Sequence, residues 1–597
     1  MRRTSLIGAP DDASAGGEGE GPLAQDDATP ERRPRWCLLG LGLLALFLVA
    51  MHIWWLYEIR RDAPLQVDEA GYLGRSFANT AGFQDYGIHG LIDGFWAQSN
   101  SGPLIPTITV AVHLLFPDRI MPSFLIQLPL LLILIAAAYG IGTRLSGPRF
   151  GLLTAVAVAA TPEIVDFTRT YQFVIAPTAF SVAALWALMR SEGLTRSRWL
   201  WVWGACLGLM VLARTMTIAF VPGHLAAVGV VLLRGGGEWR RRALAAAAGI
   251  GALALVAGPW YLSNASTVLN YLADAGYRDD AEMFGQSQSV FSWRFWTLRG
   301  DQITNAGLLL PLALIAAVAG SMALVVALRR AATPRRLLRS LIDNDALIIL
   351  VVLAEGYLAL TSTTNYGVGF TTPLLPLIVI LGVASIARVP WPSWRRGFVV
   401  ALAAVSALNV VAKADIAPVL SERRAVSLVG LGPFVIVDGE GYLHRFMRTA
   451  GQPLGNPAEP IPPEHKRWLD VSRDLTLFAG PYAQERGSEP LFVFGLLDPL
   501  VNVNTFAVTV QIAAHAGWQA VMLGPERTSQ QYQADLNGPF AQANFLVTGT
   551  GATSGLGGHI DQREIEAAAA ATGFRRVYTS RLPDGREIHL WWLGRSA

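Results

Sequence analysis

The residues best suited to chemistry in this chain are two adjacent carboxylates, Asp68 and Glu69, in the stretch QVDEAGYLGRSFA. A carboxylate within about 3 Å of a hydroxyl can take its proton and act as a general base. Two side by side can also share that task or hold a divalent cation. Taken alone, the pair reads as a helix start, with Asp68 as N-cap and Tyr72 and Arg75 following on one face. Arg214 is a second candidate, because it interrupts the apolar run LMVLARTMTIAFVP. A guanidinium at a membrane edge is either a snorkelling turn residue or a fork for phosphate oxygens. Glu355 lies inside LIILVVLAEGYLALT, where an acid must pair or face the interior of a helix bundle. His89 and His113 read as hydrogen-bonded structural residues, and YRDDAE (277–282) as a solvated acidic face. The glycine-rich GTGATSGLGG (549–558) lacks the strand–GxGxxG–helix register of a dinucleotide site and reads as a loop.

These groups must be positioned by elements that live in a bilayer. Of 597 residues, 52% are hydrophobic and only 15% charged, with a mean hydropathy of +0.38. Soluble proteins carry roughly 25% charged residues, so an ordinary cytosolic enzyme is excluded, as is a disordered chain. A net charge of +3 gives no footprint for nucleic acid, and the two cysteines, Cys37 and Cys206, sit in apolar runs and offer no disulfide framework. Residues 1–33 read as a disordered tail ending in arginines, and Trp36–Tyr57 as a first membrane anchor. Further spans are expected near 119–142, 150–167, 172–189, 199–213, 215–233, 243–261, 304–328, 345–362, 370–387 and 397–412. Arginine-rich loops alternate between them, which places the N-terminus and those loops in the cytoplasm. The apolar segment 103–116 would invert every later loop if it crossed, and at 14 residues it is short, so it is expected to lie at the interface.

The expected architecture is therefore a polytopic α-helical bundle of about 11 spans (34–413), with outer pieces 58–118 and 262–303 and a soluble α/β domain over 414–597 outside the cytoplasm. In that last part, strands are expected at 490–495, 519–524 and 543–549, and helices at 502–515 and 561–572. A hairpin around Pro583-Asp584-Gly585 closes it. Strand–helix alternation points to a partly parallel sheet with one antiparallel edge.

Several motifs in order resemble membrane glycosyltransferases of the GT-C class, in the protein O-mannosyltransferase and aminoarabinose transferase group. They are Asp68-Glu69 with Tyr72 after the first span, Gly102-Pro103-Leu104, Thr161-Pro162 with Arg169, Pro259-Trp260-Tyr261 with Asn264, and Pro373 and Pro376 in TTPLLPL. The resemblance covers roughly residues 36–400. The chain departs from the group in having Ser101-Gly102 where Lys or His precedes Pro-Pro-Leu, Val174 where an acid is frequent, and Gly369-Phe370 in place of Arg-Tyr. What the resemblance implies is a GT-C fold and a sugar donor linked through phosphate to a polyprenol. The acceptor would be a glycan, lipid or protein of the envelope, and the hexosyl or pentosyl transfer would invert the sugar. Asp68 would be the base, and Glu69 its supporting acid or, with it, the ligand of a divalent cation. Arg169, Arg214 and Gln172 would hold the donor phosphate, and Tyr72, Asp166, Tyr171, Tyr277 and Asp279 would touch substrate. A transporter or flippase for a lipid-linked precursor is the competing reading, but no paired broken spans mark two matching halves. A non-catalytic scaffold would have no use for two acids at the headgroup level.

Overall fold

The structure is a computed structural model that describes residues 34–594 except 98, 235–237, 279–280, 282–284, 286–287, 331–332, 334–338, 340–341, 368, 415–419, 421, 429–431, 450–460, 487–488, 497, 515–517, 526, 551–552 and 555–558. The tail 1–33, Asp279, Asp280 and part of the glycine-rich 549–558 stretch lie outside the described residues.

Apolar helices fill the chain as far as Lys413, and each expected span coincides with one of them or with a bent pair. Among the described residues six are long and apolar enough to cross a bilayer: Arg35–Glu58, Met121–Ser146, Thr215–Leu233, Trp239–Ser263, Leu309–Arg330 and Pro392–Lys413. A bent pair, Pro148–Ala159 and Pro162–Thr168, meets at 62°. Pro162 causes the bend: it cannot donate to the preceding turn, and it pushes Thr161 into extended backbone (φ −67°, ψ 123°). Shorter apolar helices also pack in the bundle, among them Ile175–Arg190, Ser197–Ala213, Ala346–Thr361 and Thr372–Arg388. At 1.5 Å per residue they fall short of a hydrocarbon core of about 30 Å. Ile175–Arg190 is buried along almost its whole length and forms the centre of the bundle.

Before the second long helix the chain makes three further helices: Val67–Tyr86, Ile88–Trp96 and Leu104–Leu115. The last of these covers the segment 103–116 and is only 12 residues long. Gly102 lets its start lie against the end of Ser197–Ala213, because a Cβ there would stand 2.1 Å from the Leu212 carbonyl oxygen.

After Lys413 a β-sheet region follows. Strands β1 (Arg423–Leu428) and β2 (Gly432–Asp438) pair antiparallel. A five-stranded sheet has the order β4-β3-β5-β9-β8, where β3 is Leu491–Phe494, β4 Gln519–Met522, β5 Phe545–Gly549, β8 Arg575–Arg581 and β9 Glu587–Trp592. A two-residue ladder joins β6 (Thr553–Ser554) to β7 (His559–Ile560). In the sheet β3 runs parallel to β4 and β5, while β9 is antiparallel to β5 and to β8. Gly585 (φ 85°) turns the β8–β9 hairpin. Its core packs Trp468, Phe492, Phe494, Phe506 and Phe545 together. The β1–β2 hairpin and the helix Arg467–Arg486 are additions to the elements read from the sequence.

This region sits directly on the bundle. Helix Val503–Ala513 lies along the back of Val67–Tyr86, where a Cβ at Gly71 would come 3.0 Å from Asn504 Nδ2 and one at Gly74 would come 3.5 Å from Val508 Cγ2. Asn504 Nδ2 donates to the Val67 carbonyl at 3.0 Å.

Candidate active site

The carboxylate pair lies at the start of Val67–Tyr86, but the N-cap is Gln66, not Asp68. Gln66 Oε1 accepts from the backbone N–H groups of Asp68 (2.8 Å) and Glu69 (3.1 Å), and the Gln66 N–H is 3.3 Å from Glu69 Oε2, which closes a capping box. Adjacent residues on a helix point about 100° apart, so the two acids part company. Glu69 turns inward and is fully buried. Its Oε2 takes a 2.7 Å hydrogen bond from Arg60 and its Oε1 a 3.0 Å bond from the Tyr171 N–H. Asp68 faces outward and is exposed, and among the described residues its carboxylate takes one side-chain hydrogen bond, from Gln66 Nε2 to Oδ2 at 3.1 Å. The two acids therefore do not act as a chemical pair, since both oxygens of Glu69 are committed to the fold. A cation shared between them does not fit this arrangement, and among the described residues no group of three or more His, Cys, Asp or Glu could hold a metal ion.

Tyr72 stands one turn beyond Asp68 and stacks on Phe173, with ring centroids 4.0 Å apart. Burial, with the charge of Asp68 next, raises the pKa of its phenol, while Arg214 opposes that shift and Tyr271 and Tyr442 add to it. One tyrosine thus lies in the fields of both Asp68 and Arg214. Arg214 occupies the break between Ser197–Ala213 and the short turn Thr215–Phe220, in extended backbone (φ −153°, ψ 116°). Its guanidinium lies over the Phe370 ring at 4.5 Å and, among the described residues, has neither a hydrogen bond nor an ion pair. It lines a recess whose other walls include Pro177, Phe220, Leu360, Phe370 and Pro373.

The motif residues converge on that break. Thr215 Oγ1 donates to the Asn100 carbonyl (2.7 Å), and Tyr261 OH donates to the Val211 carbonyl (3.0 Å) with the Thr215 carbonyl also near, at 3.4 Å. Trp260 Nε1 donates to the Phe95 carbonyl at 3.1 Å, and Asn264 Oδ1 accepts from the Ser99 N–H at 3.1 Å. Arg75, on the face of Asp68 and Tyr72, reaches across to the Ser99 hydroxyl and to the Ser101 hydroxyl and carbonyl (both 2.8 Å). Burial pushes its pKa down to about 10. Gly102, Trp260, Tyr261 and Asn264 are therefore a scaffold for the segment that presents Arg214.

The other expected site residues are distributed differently. Gln172 stays close, with Nε2 3.3 Å from Gln66 Oε1 and 3.1 Å from the Tyr442 hydroxyl. Arg169 lies apart: it donates to the Lys413 carbonyl, covers Trp55 at 4.6 Å and lines a separate recess with His52. Asp166 is locked in a buried ion cluster, 2.9 Å from Lys413 Nζ and 3.2 Å from Arg445, which also pairs with Asp438. Tyr171 serves Glu69 through its backbone and donates its hydroxyl to Thr109 Oγ1 at 2.6 Å. Tyr277 is exposed, its hydroxyl 3.4 Å from Ser362 Oγ. Glu355 packs on Gly223, where a Cβ would come 2.6 Å from Glu355 Oε2. His113 Nε2 bonds Ser76 Oγ at 3.0 Å, and His89 is exposed. Among residues the sequence did not single out, Gln66 announces itself by the Gln-x-x-Glu spacing of a capping box. Arg60, Tyr271, Tyr442 and Arg445 reach their places through tertiary contacts that carry no local signal.

Over residues 100–261 the sequence matches the family of dolichyl-phosphate-mannose-protein mannosyltransferases. No curated protein sequence matches the chain. The fold is similar to that of ArnT from Cupriavidus metallidurans, solved bound to undecaprenyl phosphate, with a TM-score of 0.52 and 13% identity over 93% of this chain and 98% of that one. It is also similar to the oligosaccharyltransferase of Archaeoglobus fulgidus, solved with zinc and sulfate, with a TM-score of 0.53 and 12% identity over 92% of this chain and 72% of that one. The sequence likeness covers residues 100–261, and the likeness of fold covers nearly the whole chain. A transporter or flippase finds no support in these likenesses.

Proposed function

We propose that the protein moves a sugar from a polyprenyl-phosphate donor to an acceptor hydroxyl at the outer face of the membrane, inverting the anomeric carbon. The observation that carries this reading is that Asp68 and Arg214 both act on Tyr72: an exposed carboxylate one helical turn before it, and an arginine that, among the described residues, has no ionic partner and lines an apolar-walled recess. An amphiphilic donor matches that recess, with its chain against the apolar walls and its phosphate at the guanidinium. Asp68 then takes the hydroxyl proton as the acceptor oxygen bonds to C1. The C1–O bond to phosphate breaks, and its electron pair leaves with the polyprenyl phosphate. Because that phosphate is a good leaving group, no strong acid need protonate it. The family name of the matched segment and the undecaprenyl phosphate of ArnT support a lipid-phosphate donor.

The arginine-rich loops support a cytoplasmic N-terminus and an outer location for the Asp68 helix and the β-sheet region. About eleven spans follow from the same loops.

The test is transfer by purified protein in lipid vesicles, with radiolabelled sugar supplied either as a polyprenyl phosphate or as a nucleotide. Label is expected to enter an envelope acceptor fraction from the lipid donor alone. Transfer directly from the nucleotide sugar, or movement of intact lipid donor across the vesicle without sugar release, would overturn the proposal.

A further inference from the structure

The region after the last membrane helix brings a side chain into the Asp68 site. Tyr442 opens the helix Tyr442–Thr449, is only 8% exposed and packs its ring on Phe167 at 5.5 Å between centroids. Its hydroxyl accepts from Gln172 Nε2 at 3.1 Å, the same nitrogen that lies 3.3 Å from Gln66 Oε1, while Gln66 Nε2 donates to Asp68 Oδ2 at 3.1 Å. Two amides thus connect the phenol to the carboxylate. Because the phenol oxygen is an acceptor in this chain, its own hydrogen is left over, and among the described residues nothing takes it.

The helix that carries Tyr442 is held from two sides. Arg445 pairs with Asp166 at 3.2 Å and with Asp438, and Lys413 Nζ joins Asp166 at 2.9 Å and the Glu440 carbonyl at 3.3 Å. Asp166 and Gln172 belong to one outer segment, so the ion cluster and the amide link fix the same piece of chain. Independently, helix Val503–Ala513 grips the back of the Asp68 helix through Asn504. The sheet region is therefore docked both on the start of the Asp68 helix and on the 166–172 segment.

Its position relative to the charges tells which substrate it meets. Tyr442 is joined to Asp68 through Gln172 and Gln66, and the charges of Asp68, Glu69 and Arg445 act on its phenol. In an inverting displacement the attacking hydroxyl and the leaving phosphate are on opposite faces of C1. A group linked to the base stands on the acceptor's side.

We infer that Tyr442 is an acceptor-positioning residue supplied by the region after the last span, donating its phenolic hydrogen to an acceptor oxygen beside the attacking hydroxyl. This rests on the proposed transfer at Asp68. It gives the β-sheet region a part in acceptor selection beyond bracing the membrane helices.

The test is Tyr442→Phe, which keeps the ring on Phe167 and removes only the hydroxyl, in steady-state kinetics with acceptor and donor varied separately. One lost neutral hydrogen bond should raise the acceptor KM about 3- to 10-fold. The donor KM and the thermal unfolding midpoint should stay at wild-type values. A raised donor KM with an unchanged acceptor KM would place Tyr442 on the donor side and overturn the inference. Unchanged constants for both substrates would remove Tyr442 from the site. Either result leaves the proposed function standing if Asp68→Asn is inactive in the same assay. If that variant transfers sugar normally, the failure lies with the proposed function instead.

Discussion

The two neighbouring acids should respond to substitution in opposite ways, and Glu69 gives the more searching case. Its ion pair with Arg60 is 2.7 Å long, and both side chains are at most 1% exposed. Removing one partner of such a buried pair leaves the other charge uncompensated and destabilises by about 3–5 kcal/mol. Glu69→Gln keeps an oxygen for the Tyr171 N–H, so its loss should reflect mainly the stranded guanidinium. Arg60→Met should lose a similar amount, because a bare carboxylate then remains inside. The double variant strands neither charge, so the two losses should fail to add, with a coupling of about 1–3 kcal/mol. The assay is denaturation in mixed detergent micelles for the four proteins, with transfer activity measured per folded molecule. Glu69→Gln should be unstable yet active once folded. A stable Glu69→Gln protein that cannot transfer sugar would show that Glu69 takes part in the chemistry and would refute its structural assignment.

The two arginines expected at the phosphate should also separate. Arg214→Ala should raise the donor KM roughly 10- to 100-fold, the worth of charge-assisted hydrogen bonds. Arg169→Ala should lower thermal stability with little effect on donor KM, and a reversal of the two would exchange their roles. His444 gives a pH signature: burial first, and then the charges of Arg60 and Lys413, push its pKa down from 6.5 to about 4. Between those values the unfolded chain binds a proton that the folded chain refuses, so His444 makes stability fall as pH drops from about 6.5 to 4 and adds no further slope below that. His444→Gln should flatten that part of the pH–stability curve, and an unaltered curve would show that His444 is not held neutral.

The membrane helices were legible because each is a run of Leu, Ala, Val and Ile between arginine-rich loops, a signal that needs no partner. Strand β3 is legible as an apolar run between Pro490 and Gly495, β5 as an apolar run ending at Gly549, and the β8–β9 hairpin from its Asp584-Gly585 turn. The helix Arg467–Arg486 is not legible in the sequence because its buried positions, Trp468, Val471, Leu475 and Ala479, are diluted by Arg and Asp between them. At the site, adjacency in sequence suggested that Asp68 and Glu69 work together, but helix geometry sends them to opposite environments. Arg169 and Arg214 looked equivalent as lone arginines near outer ends of spans. What separates them is that a backbone carbonyl from the last span engages Arg169, while the scaffold of Trp260, Tyr261 and Gly102 leaves Arg214 open. Tyr442 lies 374 positions from Asp68 in the chain, and only the folded ion cluster around Lys413 brings it near.

The central claim is that Asp68 is the base. Its most direct measurement is the transfer rate of purified Asp68→Asn with a polyprenyl-phosphate sugar at saturating donor and acceptor, alongside binding of the lipid phosphate. The exchange replaces one exposed oxygen by nitrogen, so the fold and lipid-phosphate binding should be kept while the rate falls about 10²- to 10⁴-fold. A variant that transfers sugar at the wild-type rate would contradict the account.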